Sequence, residues 1–356
     1  MSPARTRMAA APRSGTDRPV RVLIVDDSAT MRATLRRILS SDPDIDVVAT
    51  APEPHAARAL IKDLNPDVIT LDIEMPGMDG LAFLERIMRL RPMPVVMVST
   101  LTRRGAAQTI EALRLGAVDC IAKPSAAAGD LNEHARLLCD TVKAAARTAL
   151  ARPMPDMAAD TDNAGKPFRD DRLIAIGSST GGVEALFSLL HVFPANCPPV
   201  LVVQHMPAAF TGSFAARLDK DCAVKVVEAR HGATLERGTV HIAPGGVAHM
   251  ALAGGIGGQI ILEASDPVGG HRPAVNMLFQ SLVPLGAQAV GVILTGMGAD
   301  GATGLLAMRQ AGARTFGQDE TSCVVYGMPA AAKRLGAVER ELPLRALPRA
   351  ILAACR

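Results

Sequence analysis

The chain of 356 residues has no tryptophan, one tyrosine and eight phenylalanines. Proteins that hold nucleic acid by base stacking need aromatic platforms, so this scarcity argues against that class of partner. Charge points the same way. The net charge of +3 is supplied by Arg5, Arg7, Arg13 and Arg18 against Asp17, and the rest of the chain balances, with no basic recognition helix. Although 49% of the residues are hydrophobic, no apolar run approaches the ~20 residues of a membrane-spanning helix. A soluble protein without membrane insertion is expected. The opening segment, 1–18, is rich in Ala, Arg, Ser and Pro and lacks an apolar core, which excludes a secretory leader and predicts a disordered extension. The six cysteines (Cys120, Cys139, Cys197, Cys222, Cys323 and Cys355) contain no C-x-x-C pair. They fit reduced thiols in a cytoplasmic protein better than a disulfide framework or a zinc site.

What the chain does have is two successive alternations of short β-branched runs with helical patterns, in a length that exceeds one ordinary core. From Val20 the runs VRVLIV, IDVVAT, DVIT, PVVMVS and AVDCIA predict a five-stranded, doubly wound parallel sheet, closed by a helix over Leu131 to Leu150. Ala151 to Asp171 then carries three prolines among polar and small residues without periodicity, the composition of a linker. A second α/β unit follows. Its strand candidates are LIAI, VLVV, VKVVE, VHIA, QIILE and AVGVIL, and VHIAPGGVAHMALAGGIGGQIILE has the glycine-rich turns of an antiparallel hairpin insertion. The expected division is 1–18 extension, 19–150 first domain, 151–167 linker and 168–356 second domain, the latter Rossmann-like.

In parallel sheets ligands bind beyond the carboxyl ends of the strands. In the first domain Asp26 and Asp27 follow strand one, Asp72 strand three, Ser99 strand four and Lys123 strand five. Singly, each has a duller explanation as a cap or a solvated charge. Together, three crowded carboxylates repel one another unless a hard cation such as Mg²⁺ takes their oxygens, and an aspartate in that setting can accept a phosphoryl group.

In the second domain LIAIGSSTGGVEAL (Leu173–Leu186) runs from a strand through glycines into a helix. It fits neither a P-loop nor G-x-G-x-x-G, but Gly177 to Gly181 fits the nucleophile motif G-x-S-x-G. Ser179 becomes the candidate nucleophile. His205 follows the strand VLVVQ and Asp300 lies in a glycine-rich strand-to-helix turn, so a base and a group to orient it stand at two further strand ends. The chain order Ser, His, Asp differs from that of the α/β-hydrolases. No H-E-x-x-H spacing links the histidines, so no zinc is expected and the esterase needs no cofactor. The alternative is a non-catalytic signalling module that binds a partner or an anionic ligand through the same glycine loops.

LIVDDSATMR, DVITLDIEMPGMDG, VMVST and AKP resemble response-regulator receiver domains over about 19–145. The resemblance implies that Asp72 is phosphorylated, that Asp26, Asp27 and Asp72 hold Mg²⁺, and that Ser99 and Lys123 are switch residues, while Cys120 replaces an aromatic one. IGSSTGGVEAL, VVQHMP, HIAPGG, HRPAVNMLF and ILTGMGADGATGL resemble the catalytic domain of the chemotaxis protein-glutamate methylesterases, the CheB type, over about 168–354. This implies a phosphorylation-activated serine esterase that removes methyl groups, as methanol, from glutamates of methyl-accepting chemotaxis receptors, with glutamine deamidation as a second activity. Ser179, His205 and Asp300 would form the triad, with Thr180, Gly181 and Met297 supporting the oxyanion, and a chemotaxis histidine kinase would be the phosphodonor. A receiver docked beside the catalytic edge would block the receptor helix until phosphorylated.

Overall fold

The computed structural model describes residues 18–75, 79–100, 102–124, 131–148 and 167–356. The expected extension 1–18 and linker 151–167 lie almost wholly outside the described residues.

The first unit comprises β1 (Val20–Val25), α1 (Ala29–Leu39), β2 (Ile45–Ala51), α2 (Pro54–Leu64), β3 (Val68–Asp72), α3 (Gly80–Leu90), β4 (Val95–Ser99), α4 (Arg103–Arg114), β5 (Asp119–Ala122) and α5 (Leu131–Ala146). The strands pair in parallel in the order β2-β1-β3-β4-β5. The central strands β3 and β4 are buried throughout, which is why they read as unbroken apolar runs rather than as alternations. Helix starts are fixed by side chains: Ser28 accepts from the Met31 N–H, Asp79 from Leu81 and Thr102 from Gly105. The strand order reverses between β1 and β3, so Asp26 and Asp72 flank the crevice where such sheets take ligands.

The second unit comprises β6 (Leu173–Ser178), α6 (Gly182–Leu190), β7 (Val200–Gln204), α7 (Ala208–Asp221), β8 (Lys225–Glu228), β9 (Thr239–Ile242), β10 (His249–Ala253), β11 (Gln259–Glu263), α8 (Val275–Ser281), β12 (Ala289–Ile293), α9 (Ala302–Gln310), β13 (Arg314–Gln318), α10 (Met328–Arg334), β14 (Arg340–Leu342) and α11 (Leu347–Ala354). Seven parallel strands run β14-β13-β12-β6-β7-β9-β8, and β10 and β11 form the separate antiparallel hairpin. Two strands, β13 and β14, and the helices α10 and α11 extend the sheet beyond what the sequence reading contained. Here too the order reverses, between β6 and β12, and Ser179 emerges at that point.

The two units pack together through one apolar cluster that includes Leu113 of α4 and Val183 and Phe214 of α6 and α7. Across the contact Glu111 pairs with Arg217 at 2.9 Å, and the Thr148 hydroxyl donates to the Val324 carbonyl at 3.3 Å. No helix among the described residues is long and apolar enough to cross a membrane.

Candidate active site

Strands β12, β6 and β7 are neighbours, and each delivers one residue to the same edge. Ser178 is in register with Gln204, so Ser179 and His205 leave adjacent parallel strands side by side. The loop after β12 returns to them: the Ser179 N–H donates to the Thr295 carbonyl at 3.0 Å, and a Cβ on Gly296 would stand 2.7 Å from that of Ser179. Only glycine lets the loop carrying Met297 and Asp300 come so near.

The two adjacent serines part company here. Ser178 is fully buried and its hydroxyl donates to Gln204 Oε1 at 2.7 Å, whereas Ser179 is half-buried. The left-handed backbone of the turn falls on Gly181 (φ 75°), which caps α6, and not on the serine. A Cβ on Gly182 would lie 2.1 Å from Gln204 Oε1. These glycines therefore shape a tight turn against Gln204 rather than a phosphate cradle.

His205 Nε2 lies 2.9 Å from Asp300 Oδ2, in a pair whose side chains are 9% and 5% exposed. Its other nitrogen, Nδ1, is buried and has no partner among the described residues. Asp300 also accepts the N–H groups of Val275 at 2.6 Å and Asn276 at 3.0 Å, at the start of α8. Burial alone would raise its carboxyl, but His205 and these two N–H groups hold it below the usual carboxylate range. An anionic carboxylate on one imidazole nitrogen and an open acceptor on the other is what a general base needs.

In the first unit Asp26, Asp27 and Asp72 bring carboxylate oxygens within 4.8 Å of one another. Lys123 Nζ lies 2.7 Å from Asp72 and 3.0 Å from Asp26. Burial raises the Asp72 carboxyl, with Asp26 adding to it and Lys123 opposing. Ser99 is buried at the end of β4 and donates to the Thr100 carbonyl at 3.3 Å, and Cys120 Sγ on β5 stands 3.8 Å from Thr109 Oγ1.

The model of the CheB methylesterase family matches residues 174–351, and that of the response regulator receiver domain matches 22–136. A protein-glutamate methylesterase/protein-glutamine glutaminase of Caulobacter vibrioides is 56% identical over 94% of this chain and 97% of its own length. One of Rhizobium johnstonii is also 56% identical, over 94% and 96%. The chain belongs to the CheB methylesterase family. A solved CheB methylesterase catalytic domain from Thermotoga maritima is 36% identical, covering 51% of this chain and 97% of that one, with a TM-score of 0.49.

Two positions of this CheB-family chain were not legible as site residues. Gln204 is almost fully buried, and its amide donates to the carbonyls of both Ser179 (2.9 Å) and His205 (3.0 Å). One side chain thus ties the serine's strand end to the histidine's. The other is Asp119, at the start of β5, whose carboxyl accepts the Cys120 N–H at 2.8 Å and faces the side chain of Thr180, next to Ser179. Asp119 lines a cavity of about 220 Å³ between the units, together with Leu113, Gly181, Glu184 and Val324. Burial raises the carboxyls of both Asp119 and Glu184.

Proposed function

We propose that this chain is a serine esterase that hydrolyses glutamate methyl esters on methyl-accepting chemotaxis receptors, controlled by phosphorylation of its own receiver domain. The observation that carries the reading is the His205–Asp300 pair: Asp300 engages Nε2, Nδ1 is left open, and a half-buried serine stands at the adjacent strand end. Ser179 Oγ attacks the ester carbonyl while His205 Nδ1 takes its proton. The carbonyl oxygen, now negative, is held by N–H groups of the Thr180–Gly181 turn and the Met297 loop. The imidazolium returns the proton to the departing methoxide, so methanol leaves and an acyl-serine remains. Water, deprotonated by the same nitrogen, then releases glutamate and restores Ser179. A glutamine side chain entering the same site would lose ammonia in place of methanol, the second activity in the names of the Caulobacter and Rhizobium relatives.

On the receiver Asp72 accepts the phosphoryl group, from a chemotaxis histidine kinase in the cell. The donor set of Asp26, Asp27 and Asp72 is all hard oxygen at close quarters, which fits Mg²⁺, and the ion when bound supplies positive charge where a dianionic group must settle. Lys123, already on Asp72, pairs with the new oxygens. Before phosphorylation α4 sits against α6 and α7, and Asp119 of β5 lines the cavity beside Gly181, so the receiver covers the approach to Ser179. These partners place the protein in the cytoplasm.

The test is methanol release from methylated receptor, with and without a small phosphodonor. Release should rise with the phosphodonor. Asp72→Asn should abolish both phosphate uptake and that rise while keeping unstimulated release, and chelation of Mg²⁺ should mimic it. Phosphate uptake that survives Asp72→Asn, or release that ignores the phosphodonor, would refute the control mechanism.

A further inference from the structure

His271 takes no part in the arrangement above, yet its ring lies flat on that of His205, with centroids 3.9 Å apart and planes 8° from parallel. The segment that presents it is pinned independently. Val268 and His271 exchange backbone hydrogen bonds of 3.0 and 3.1 Å, and the Gly246 N–H donates to the Arg272 carbonyl at 2.8 Å. The Arg272 guanidinium donates to the Gly246 and Ser265 carbonyls at 3.1 and 3.0 Å. The stacked ring is therefore held in place by its own loop, and does not merely lean on the base.

We propose that His271 is a positioning residue for His205: its neutral imidazole face fixes the plane of the base and stabilises the imidazolium formed when the serine gives up its proton. The proposal rests on the reading of His205 as that base. Both nitrogens of His205 act in the plane of the ring, and one contact, to Asp300, leaves the ring free to swing about that contact. A flat partner on its face removes the swing. A neutral aromatic face against a cation also favours the charged form, by about threefold to thirtyfold in the equilibrium or rate that depends on it.

This role requires His271 to stay neutral. Burial pushes its imidazole down to about 4, with the charge of His205 acting in the same direction and Asp300 opposing. The neighbouring Arg272 and His249 are committed elsewhere. Arg272, its neighbour in the chain, is on two carbonyls, and His249 of β10 accepts the Ala274 N–H at 3.0 Å while its second nitrogen meets the Asp266 carbonyl at 3.0 Å. Above about pH 5 the face is therefore uncharged.

The full-length protein, labelled with ¹⁵N-histidine, tests this by NMR titration of His205 alongside the pH profile of kcat/KM for methanol release. His271→Ala should lower the His205 midpoint by about half a pH unit or more and kcat/KM by about threefold to thirtyfold with KM unchanged. His271→Phe keeps a flat face that cannot titrate and should retain both. His271→Leu fills the space without a π face and stands in for the alanine variant if that one melts early. A His205 midpoint that is unmoved or raised without the ring, or that falls as far in His271→Phe, overturns the proposal. The titration needs no turnover, so an error in the reading of the base, seen as full activity in His205→Ala, is distinguished from an error about the stack.

Discussion

Ser179→Ala should reduce methanol release by about four orders of magnitude or more, while Ser178→Ala keeps activity within about tenfold of the parent. The two serines are adjacent and chemically identical, so the difference must come from their surroundings. Ser178 is fully buried and already donates to Gln204 Oε1. Removing its hydroxyl leaves a buried amide oxygen unpaired, a loss of about 1–3 kcal/mol in stability. The Ser178 variant should therefore show mainly a lower melting temperature. Ser179 stands half-buried at the strand end beside His205, and its loss should leave melting nearly unchanged. Kinetics and thermal melts of both variants check this, and a large kinetic loss confined to Ser178→Ala would transfer the nucleophile assignment.

Leu113→Asp should raise unstimulated release from receptor by about tenfold and leave little for a phosphodonor to add. Leu113 is 5% exposed, on α4, and lines the cavity between receiver and esterase, so a carboxylate there is buried only while the units are docked. Desolvating an unpaired charge costs several kcal/mol, on the order of what such a contact supplies. Phosphate uptake at Asp72 reports that the receiver remains folded. The same contact gives a pH dependence of definite sign. Burial raises the Asp119 carboxyl in the docked state, against the opposing hydrogen bonds of Thr180 and the Cys120 N–H. Its contribution to docking is complete below the ordinary range of a free carboxyl and is lost as pH rises through the raised docked value. The ratio of unstimulated release, full-length over Leu113→Arg, whose charge does not titrate in this range, should therefore climb toward one as pH increases from the acid side. A ratio that falls with pH would mean that Asp119 is docked as the anion.

The strand ends that matter were legible because buried parallel strands are continuous apolar runs, and the residue after each run falls on the same edge. That logic puts Asp72, Ser99, Ser179 and His205, and Asp300 through its turn, at the strand ends where the structure has them. It failed where local pattern is weak. β14 is three residues, Arg340 to Leu342, two of them charged, and β13 opens with Arg314 and closes on Gly317 and Gln318. Both are held by sheet pairing and not by propensity. Gln204 was read only as the end of a strand, because its importance lies in two carbonyls from different segments. Asp119 acts across a domain contact, which no sequence period encodes.

The Gln204 clamp has a consequence for motion. Carbonyls of Ser179 and of His205 hang from one amide group, itself wedged against Gly182 and Ser178. Thermal displacement of either strand end drags the other with it, so the jitter of the two is shared and largely cancels in the distance between them. Reaction geometry is sensitive to that distance and indifferent to where the pair sits as a whole, since an error of about 1 Å between reacting groups can cost about a hundredfold. The edge of the sheet can then flex as a substrate is seated and leaves, while the spacing of Ser179 and His205 changes little.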